Sequence, residues 1–481
     1  MSKGLLPYID FWTHKAPLLV MILSGWISLF SHSMVSAVIF LILVTIIASY
    51  LVYAFSNALG LGFPVAIVAL LGYVFFTATH LLDPTRNGII VILASVFEML
   101  AVINLITGLK QGTRQRLLLS GFFVFLAFAT RQTAAITYLG LMAIIFVTNR
   151  KKNLRQALEQ AMIVSLGSII AAAGFIAYFV LKKIPFDMIW DQIYTFNINY
   201  AAGYQAKFTD WVFGWMDLLQ RSKLHIIGIG VLAYFIGIGI RLVKRMEIRT
   251  ADWMLIILTV LHSLAIYLQH KVQIIYFLQV LPEASVMTGI ALADAFGGER
   301  VQNIKDFFKG WSSVAFVVAS LLFLLLLPLK DEALYSYGTI QAAKENGYLQ
   351  NIEYRPEYLV ARKVQELAPN SADRIWVFGF GDEVYMYADR LPALTFTDAA
   401  RLQYVLSPED YGIWLDQFMS ARPTVVVSYV TQAWMEANKN KPVIDDGGRS
   451  TENLLKIAEF ITENMTRVSY ELDTPEIYIW R

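Results

Sequence analysis

The sequence contains no cysteine among its 481 residues, which excludes disulfides and cysteine-ligated metal sites. Charge is scarce as well: Asp, Glu, Lys and Arg make up 16% of the chain, and 39 basic against 37 acidic residues leave a formal net charge of +2. So small an excess argues against a nucleic-acid partner, and the polar part of the chain has no basic patch with interleaved aromatics. No internal repeat of roughly 20 to 50 residues is visible, which weighs against a solenoid. The glycine-rich turn GFGDE at Gly379 to Glu383 lacks the Gly-Lys-Ser/Thr ending of a nucleotide loop, so phosphate binding there is rejected. Met1 to Lys15 contains no apolar core of a signal peptide.

What the chain does have is apolar sequence, at 57% hydrophobic and 14% aromatic residues, too much for the surface of a soluble protein of this size. It lies in blocks of roughly 14 to 22 residues between residues 16 and 329, most of them long enough to cross about 30 Å of hydrocarbon as helices. Spans are expected at 36–56, 63–80, 88–109, 117–130, 133–149, 160–181, 224–241, 253–269, 272–293 and 311–329. From Lys330 to Arg481 the chain mixes charge, proline and short alternating runs with no spanning block. PEYLVARKVQELA (Pro356 to Ala368) and TENLLKIAEFITENM (Thr451 to Met465) have helical periodicity, while RIWVFGF, TVVVSYV (Thr424 to Val430) and EIYIWR (Glu476 to Arg481) read as strands. The expected fold is a polytopic α-helical membrane protein of about 10 to 11 transmembrane helices with a small C-terminal α/β domain.

Loop charge assigns the sides. Lys110, Arg114 and Arg116, then Arg150, Lys151, Lys152 and Arg155, then Arg241, Lys244, Arg245 and Arg249, and finally Arg300, Lys305 and Lys309 fall in alternate loops, as the positive-inside rule requires of cytoplasmic ones. The loops at 83–87, 131–133, 182–223 and 269–271, residue 35 and the domain after Leu329 then lie outside, which makes that domain extracytoplasmic. An N-terminus carrying Lys3, His14 and Lys15 would have to be outside too. Either Pro17 to Ser31 is a short true span, or a helix is missing upstream and Pro17 to Ser31 is half-inserted or interfacial.

The opening stretch GLLPYIDFWTHKAPL bears on that choice. With Gly4, Pro7-Tyr8, Asp10, Phe11, Lys15 and Pro17, it resembles the segment closing the first outer loop of the C-type (GT-C) glycosyltransferases, multi-span enzymes that include the protein mannosyltransferases and the lipid A aminoarabinose transferases. Ala16 stands where that pattern has a second proline. LLDPTRNG (Leu81 to Gly88) is similar to the family's second outer loop, and GFFVFLAFATRQT (Gly121 to Thr133) to its paired short helices with a cationic outer tip. HKVQIIYFLQVLPEA (His270 to Ala284) resembles its late span, and RIWVFGFGDEVYMYADRLPA (Arg374 to Ala393) the opening of its outer domain. The family's catalytic acidic residue lies upstream of the Pro-Tyr segment, so the resemblance implies an amino-terminally shortened chain whose main base is expected before Met1. On this reading residues 1–35 are a remnant of the first outer loop with an interfacial or half-span helix, 36–329 the transmembrane domain and 330–481 the extracytoplasmic domain.

The resemblance implies transfer of a sugar, in a mannosyltransferase-like or other hexosyltransferase reaction, from a polyprenyl phosphate to a lipid, glycan or protein acceptor at the outer face of the cytoplasmic membrane, with no nucleic acid involved. A single carboxylate opposite the departing phosphate suits inversion at the sugar carbon. The resemblance leaves room for a divalent cation, which some relatives use, and no ligand cluster in the sequence demands one.

Arg131 sits between two short apolar runs, where its guanidinium would face the bundle at the outer interface and grip phosphate oxygens, the alternative being a snorkelling arginine. His270, Lys271 and Lys15 are further phosphate-binding candidates, with simple interface anchoring as the rival role for His270 and Lys271. Asp83 is either a turn or helix cap or an assisting carboxylate, and Asp10 is the other assisting candidate. Tyr8 and His14 line the same entrance. Tyr194, Tyr200 and Tyr204 in the loop 182–223, with Tyr276, suit a lid on sugar or lipid, although aromatic interface packing gives the same composition. Glu98, inside the span 88–109, reads as a protonated carboxylate bonded to Asn104 or a neighbouring helix. Glu383, Tyr385 and Arg390 read as structural. The rival classes are a transporter or flippase, against which the absence of inverted repeats with matched helix breaks counts, and a catalytically inactive membrane scaffold.

Overall fold

A computed structural model describes residues 6–10, 13, 15–30, 34–77, 88–150, 153–198, 209, 212–213, 216, 225–269, 274–295, 356–379, 383–395, 408–438, 451–468 and 475–480. The span expected at 311–329 lies outside them.

The apolar part is a bundle of α-helices: α1 (Pro17–Leu29), α2 (Met34–Leu59), α3 (Phe63–Thr77), α4 (Ile89–Gln111), α5 (Arg114–Thr130), α6 (Ala135–Asn149), α7 (Leu154–Leu181), the short α8 (Phe186–Trp190), α9 (His225–Val243), α10 (Thr250–Tyr267) and α11 (Leu281–Ala295). Five described helical stretches are long and apolar enough to cross a membrane, and α1, α3 and α9 are shorter apolar helices. The helix α4 packs on α2 and α5, α5 on α7, α6 on α10, and α11 on α3 and α9. Along α5 and α7 the backbones touch because both helices offer glycine at the crossing. A Cβ on Gly121 would lie 1.7 Å from the Val164 carbonyl oxygen, and one on Gly167 would lie 2.0 Å from that of Leu118.

One sequence expectation is redrawn. The run 272–293, read as one span, is a 3-10 helix (Ile274–Gln279) followed by α11, and Pro282, which has no N–H to give, stands in the first turn of the new helix. In α1, 13 residues give a length of about 20 Å, short of the hydrocarbon thickness. Its Trp26 indole donates to the Ser36 carbonyl near the start of α2 (2.8 Å) and its ring packs on Phe40.

Contacts sort the loops into two ends of the bundle. At one end Phe128, near the close of α5, stacks on Tyr194 in the π-helical turn Asp191–Thr195 (6.3 Å). The opening segment docks here too: Tyr8 packs edge-on against Phe179 of α7, and the buried Gln192 amide donates to the Tyr8 carbonyl and accepts the Thr13 N–H. At the other end Arg114 pairs with Glu159 across the starts of α5 and α7, and Arg241 and Arg249 close on Asp252. Of the four loops assigned outside by charge, 83–87 lies outside the described residues; Arg131 bonds to Gln269, and Gln192 in the loop 182–223 bonds to Tyr8 in the opening segment, all at the first end.

The polar part forms an α/β layer structure from α12 (Pro356–Leu367), β1 (Arg374–Phe378), α13 (Glu383–Ala388), β2 (Leu391–Pro392), α14 (Pro408–Ala421), β3 (Val425–Ser428), α15 (Gln432–Asn438), α16 (Thr451–Asn464), β4 (Met465–Val468) and β5 (Glu476–Trp480). The sheet order is β2-β1-β3-β5-β4, parallel through β2, β1 and β3 and antiparallel at β5 and β4. Strand alternation divides the core in two. Trp376, Phe378 and Val426 join Trp414 and Phe418 of α14 and Ile457 of α16 on one face, while Ile375, Val377, Val425 and Val427 join Val360 and Val364 of α12 on the other. The expected strands appear, and β2 and β4 are additions.

Candidate functional site

The site grows from a break between two helices. α5 ends at Thr130, Arg131 takes an extended conformation (φ −154°, ψ 124°), and a 3-10 turn over Gln132–Ala134 restarts the chain as α6. The break turns the Arg131 side chain into the protein, where only 7% of the residue stays exposed. Its Nη1 donates to Gln279 Oε1 (3.2 Å), its Nη2 donates to Gln269 Oε1 (2.8 Å), and its guanidinium carbon lies 5.0 Å from the centre of the Tyr276 ring. Both hydrogen-bond partners are neutral, so the cation is oriented without being neutralised. Two of the five N–H groups a guanidinium carries are engaged this way.

Behind Arg131 the polar contacts continue into the bundle. Gln279 Nε2 donates to Glu98 Oε1 (3.1 Å), and the Thr137 hydroxyl donates to the same oxygen (2.7 Å). Thr137 Oγ1 lies 3.0 Å from His262 Nε2, and His262 Nδ1 lies 3.2 Å from Glu283 Oε1. A threonine hydroxyl has one proton; with that proton on Glu98, its oxygen must accept from His262 Nε2–H. His262 is thereby held between two carboxylates, since its Nε2 is also 3.8 Å from Glu98 Oε1. A small cavity with room for roughly one water opens among Ser95, Glu98, His262, Gln279 and Glu283. Glu98, His262, Gln279 and Glu283 are all buried to within a few per cent.

The structure brings together some candidates and not others. Arg131 and Tyr276 meet directly. Glu98 joins a neighbouring helix as expected, but through Thr137 and not through Asn104, whose side chain accepts from Arg116 (3.0 Å) and donates to the Leu100 carbonyl. Asp10 is exposed, and its Oδ2 accepts the Leu6 N–H (2.6 Å), closing a local turn. Tyr8 is buried, with its hydroxyl donating to the Lys15 carbonyl (2.9 Å). Burial, followed by the neighbouring Tyr194, pushes the Tyr8 phenol far above its ordinary range, so it remains a donor. Lys15 is described through its backbone, whose N–H donates to the Thr13 hydroxyl. Tyr194 stacks between Phe128 and Trp190. Asp83, His14, Tyr200, Tyr204, His270 and Lys271 lie outside the described residues. In the polar domain Arg390 donates to the Ala368 and Ala388 carbonyls and the Tyr385 hydroxyl accepts the Val377 N–H, which makes both structural.

Sequence reasoning missed His262, Gln279 and Glu283. Ionisable residues inside the apolar runs 253–269 and 272–293 are the signal that could have found two of them. Among the described residues there is no group of three or more His, Asp or Glu side chains arranged to hold a metal ion.

This chain shares its fold with two solved transferases. It is similar to the aminoarabinose transferase ArnT of Cupriavidus metallidurans bound to undecaprenyl phosphate, with a TM-score of 0.53 at 13% identity over 98% of this chain and 88% of that one. The apo form of the same enzyme gives 0.52 at 14% identity over 92% and 88%. The oligosaccharyltransferase of Archaeoglobus fulgidus, tethered to an acceptor peptide containing the NVT sequon, gives 0.52 at 14% identity over 99% of this chain and 67% of that one. No protein-family model matches the sequence, and no curated protein matches it.

Proposed function

We propose that this protein is a membrane glycosyltransferase that moves a sugar of the hexose class from a polyprenyl-phosphate donor to a lipid, glycan or protein acceptor, with inversion, at the outer face of the cytoplasmic membrane. The observation that carries the reading is the buried Arg131 guanidinium, aimed by two neutral amides and an aromatic ring at the end of the bundle where the low-charge loops gather. A cation so held offers an anion its full charge in a medium of low dielectric, which is what a departing lipid phosphate requires. The fold shared with a transferase seen with undecaprenyl phosphate supports the choice of anion. In this reading the Arg131 end faces outward, the arginine clusters at the other end face the cytoplasm, and the α/β domain is extracytoplasmic. Residues 1–35 form an outer segment whose helix α1 enters the bilayer part-way, consistent with its length and with the Trp26 bond back to Ser36. Tyr194 and Tyr276 would border the sugar or lipid, and Asp10 and Asp83 are assisting carboxylates.

The test is transfer from a radiolabelled short-chain polyprenyl-phosphate hexose into a membrane extract that supplies lipid, glycan and protein acceptors. Arg131→Ala should reduce transfer at least about 100-fold, the usual cost of one charge-stabilising donor. Transfer at the wild-type rate would remove Arg131 from the mechanism.

A further inference from the structure

The polar chain behind Arg131 has a direction fixed by its own chemistry. A guanidinium has only donors, so an amide that bonds to it must offer its oxygen and turn its NH2 away, toward a group that accepts. Gln279 does both: its oxygen lies 3.2 Å from Arg131 Nη1 and its nitrogen 3.1 Å from Glu98 Oε1. Turning the amide by half a turn would set NH2 against guanidinium and carbonyl against the carboxyl group, losing both bonds between side chains that are almost fully buried. Glu98, by accepting from the amide nitrogen, therefore anchors the end of Gln279 that points away from Arg131. Glu98 is itself pinned by the Thr137 hydroxyl, and His262 lies 3.8 Å from the same oxygen, with its Nδ1 3.2 Å from Glu283 Oε1. Along α10, His262 lies about 10 Å from Gln269, so the relay starts roughly two turns beneath the guanidinium.

We propose that Glu98 is a positioning residue that acts through Gln279 to hold the Arg131 guanidinium in the pose that grips the lipid phosphate. The inference rests on the phosphate-binding reading of Arg131 given above. It makes Glu98 and Gln279 act on the donor phosphate only through Arg131.

The experiment measures undecaprenyl phosphate binding to the full chain in detergent, together with donor KM and kcat, for Arg131→Ala, Glu98→Ala, Glu98→Gln, Gln279→Leu and the double variant Glu98→Ala/Gln279→Leu, with the thermal midpoint as a folding control. Glu98→Ala and Gln279→Leu should each weaken binding on the order of 10-fold, the worth of one hydrogen bond to a charged group, and raise donor KM by the same factor, with kcat falling by less than it does in Arg131→Ala. Glu98→Gln keeps a carbonyl that accepts from Gln279 and should bind within about 3-fold of wild type. The double variant should bind no more weakly than either single one, because both remove the same link. Losses that multiply in the double variant, or wild-type binding by Gln279→Leu, would overturn the relay. Wild-type binding by Glu98→Ala alongside lost binding by Arg131→Ala would overturn the relay and leave the phosphate reading standing, whereas wild-type binding by Arg131→Ala would overturn both. Should Glu98→Ala fail to fold, Gln279→Leu and Glu98→Gln carry the same decision.

Discussion

The bundle holds arginines at both ends and treats them in opposite ways. At the Arg241 end, Arg249 grips Asp252 through Nε (2.6 Å) and Nη2 (2.7 Å), and Arg241 reaches Asp252 (3.2 Å) and Asp294 (2.8 Å). The Tyr234 hydroxyl also donates to Asp252, whose side chain is fully buried. At the Arg131 end the guanidinium meets two glutamine carbonyls and a tyrosine ring. A carboxylate consumes a cation's charge, and an amide carbonyl only aims it. The first arrangement ties α9, α10 and α11 together; on the function proposed above, the second keeps a positive charge for a phosphate.

If that contrast is right, stability and ligand binding should separate between the two ends. The largest stability effect belongs to Asp252→Ala, which takes from Arg249 the carboxylate it grips and from Arg241 one of its two, and should cost about 3 kcal/mol, read as a lowered unfolding midpoint in detergent. Undecaprenyl phosphate binding by the folded fraction should not change, and a parallel loss would show that the two ends are not independent. Arg131→Gln reverses the pattern. Its partners are neutral, so the folded state should lose about 1 kcal/mol, the net worth of ordinary hydrogen bonds, while undecaprenyl phosphate binding disappears. A fall in stability as large as that of Asp252→Ala would make Arg131 a fastening like the others.

The same contrast explains what the sequence could reveal. Helices long enough to span announce themselves by composition, and α2, α4, α6 and α10 lie within a few residues of their expected bounds. Arg131 was legible because a lone cation between two short apolar runs has few reasons to be there. Its partners were not legible: Gln269 and Gln279 carry no charge and follow Arg131 by 138 and 148 residues, so only the packed bundle joins them. Glu98 stood out as an ionisable residue in an apolar run, yet periodicity could not choose between Asn104, one and a half turns along its own helix, and Thr137 on α6. Pro282 marks the break that starts α11, which the expectation of one span over 272–293 did not include. In the polar domain β4 was hidden because it follows α16 with no turn residue between them.

The smallest effect is the most demanding check on the comparison. Arg114 and Glu159 form an ion pair at 2.6 Å across the starts of α5 and α7, at the same end as the Arg241 cluster by the run of the helices, but their side chains are 77% and 53% exposed. Water solvates each charge nearly as well as its partner does, and salt screens what remains, so distance alone does not make this pair a fastening. Glu159→Gln should lower stability by less than about 0.5 kcal/mol, and the difference should vanish as salt is raised toward 1 M. What holds α5 against α7 is the glycine contact of Gly121 and Gly167 with the opposing backbone, which no change at Glu159 disturbs. A loss by Glu159→Gln approaching that of Asp252→Ala would mean that exposed and buried ion pairs do the same work in this bundle, and burial would no longer separate the arginines that fasten from the one that waits.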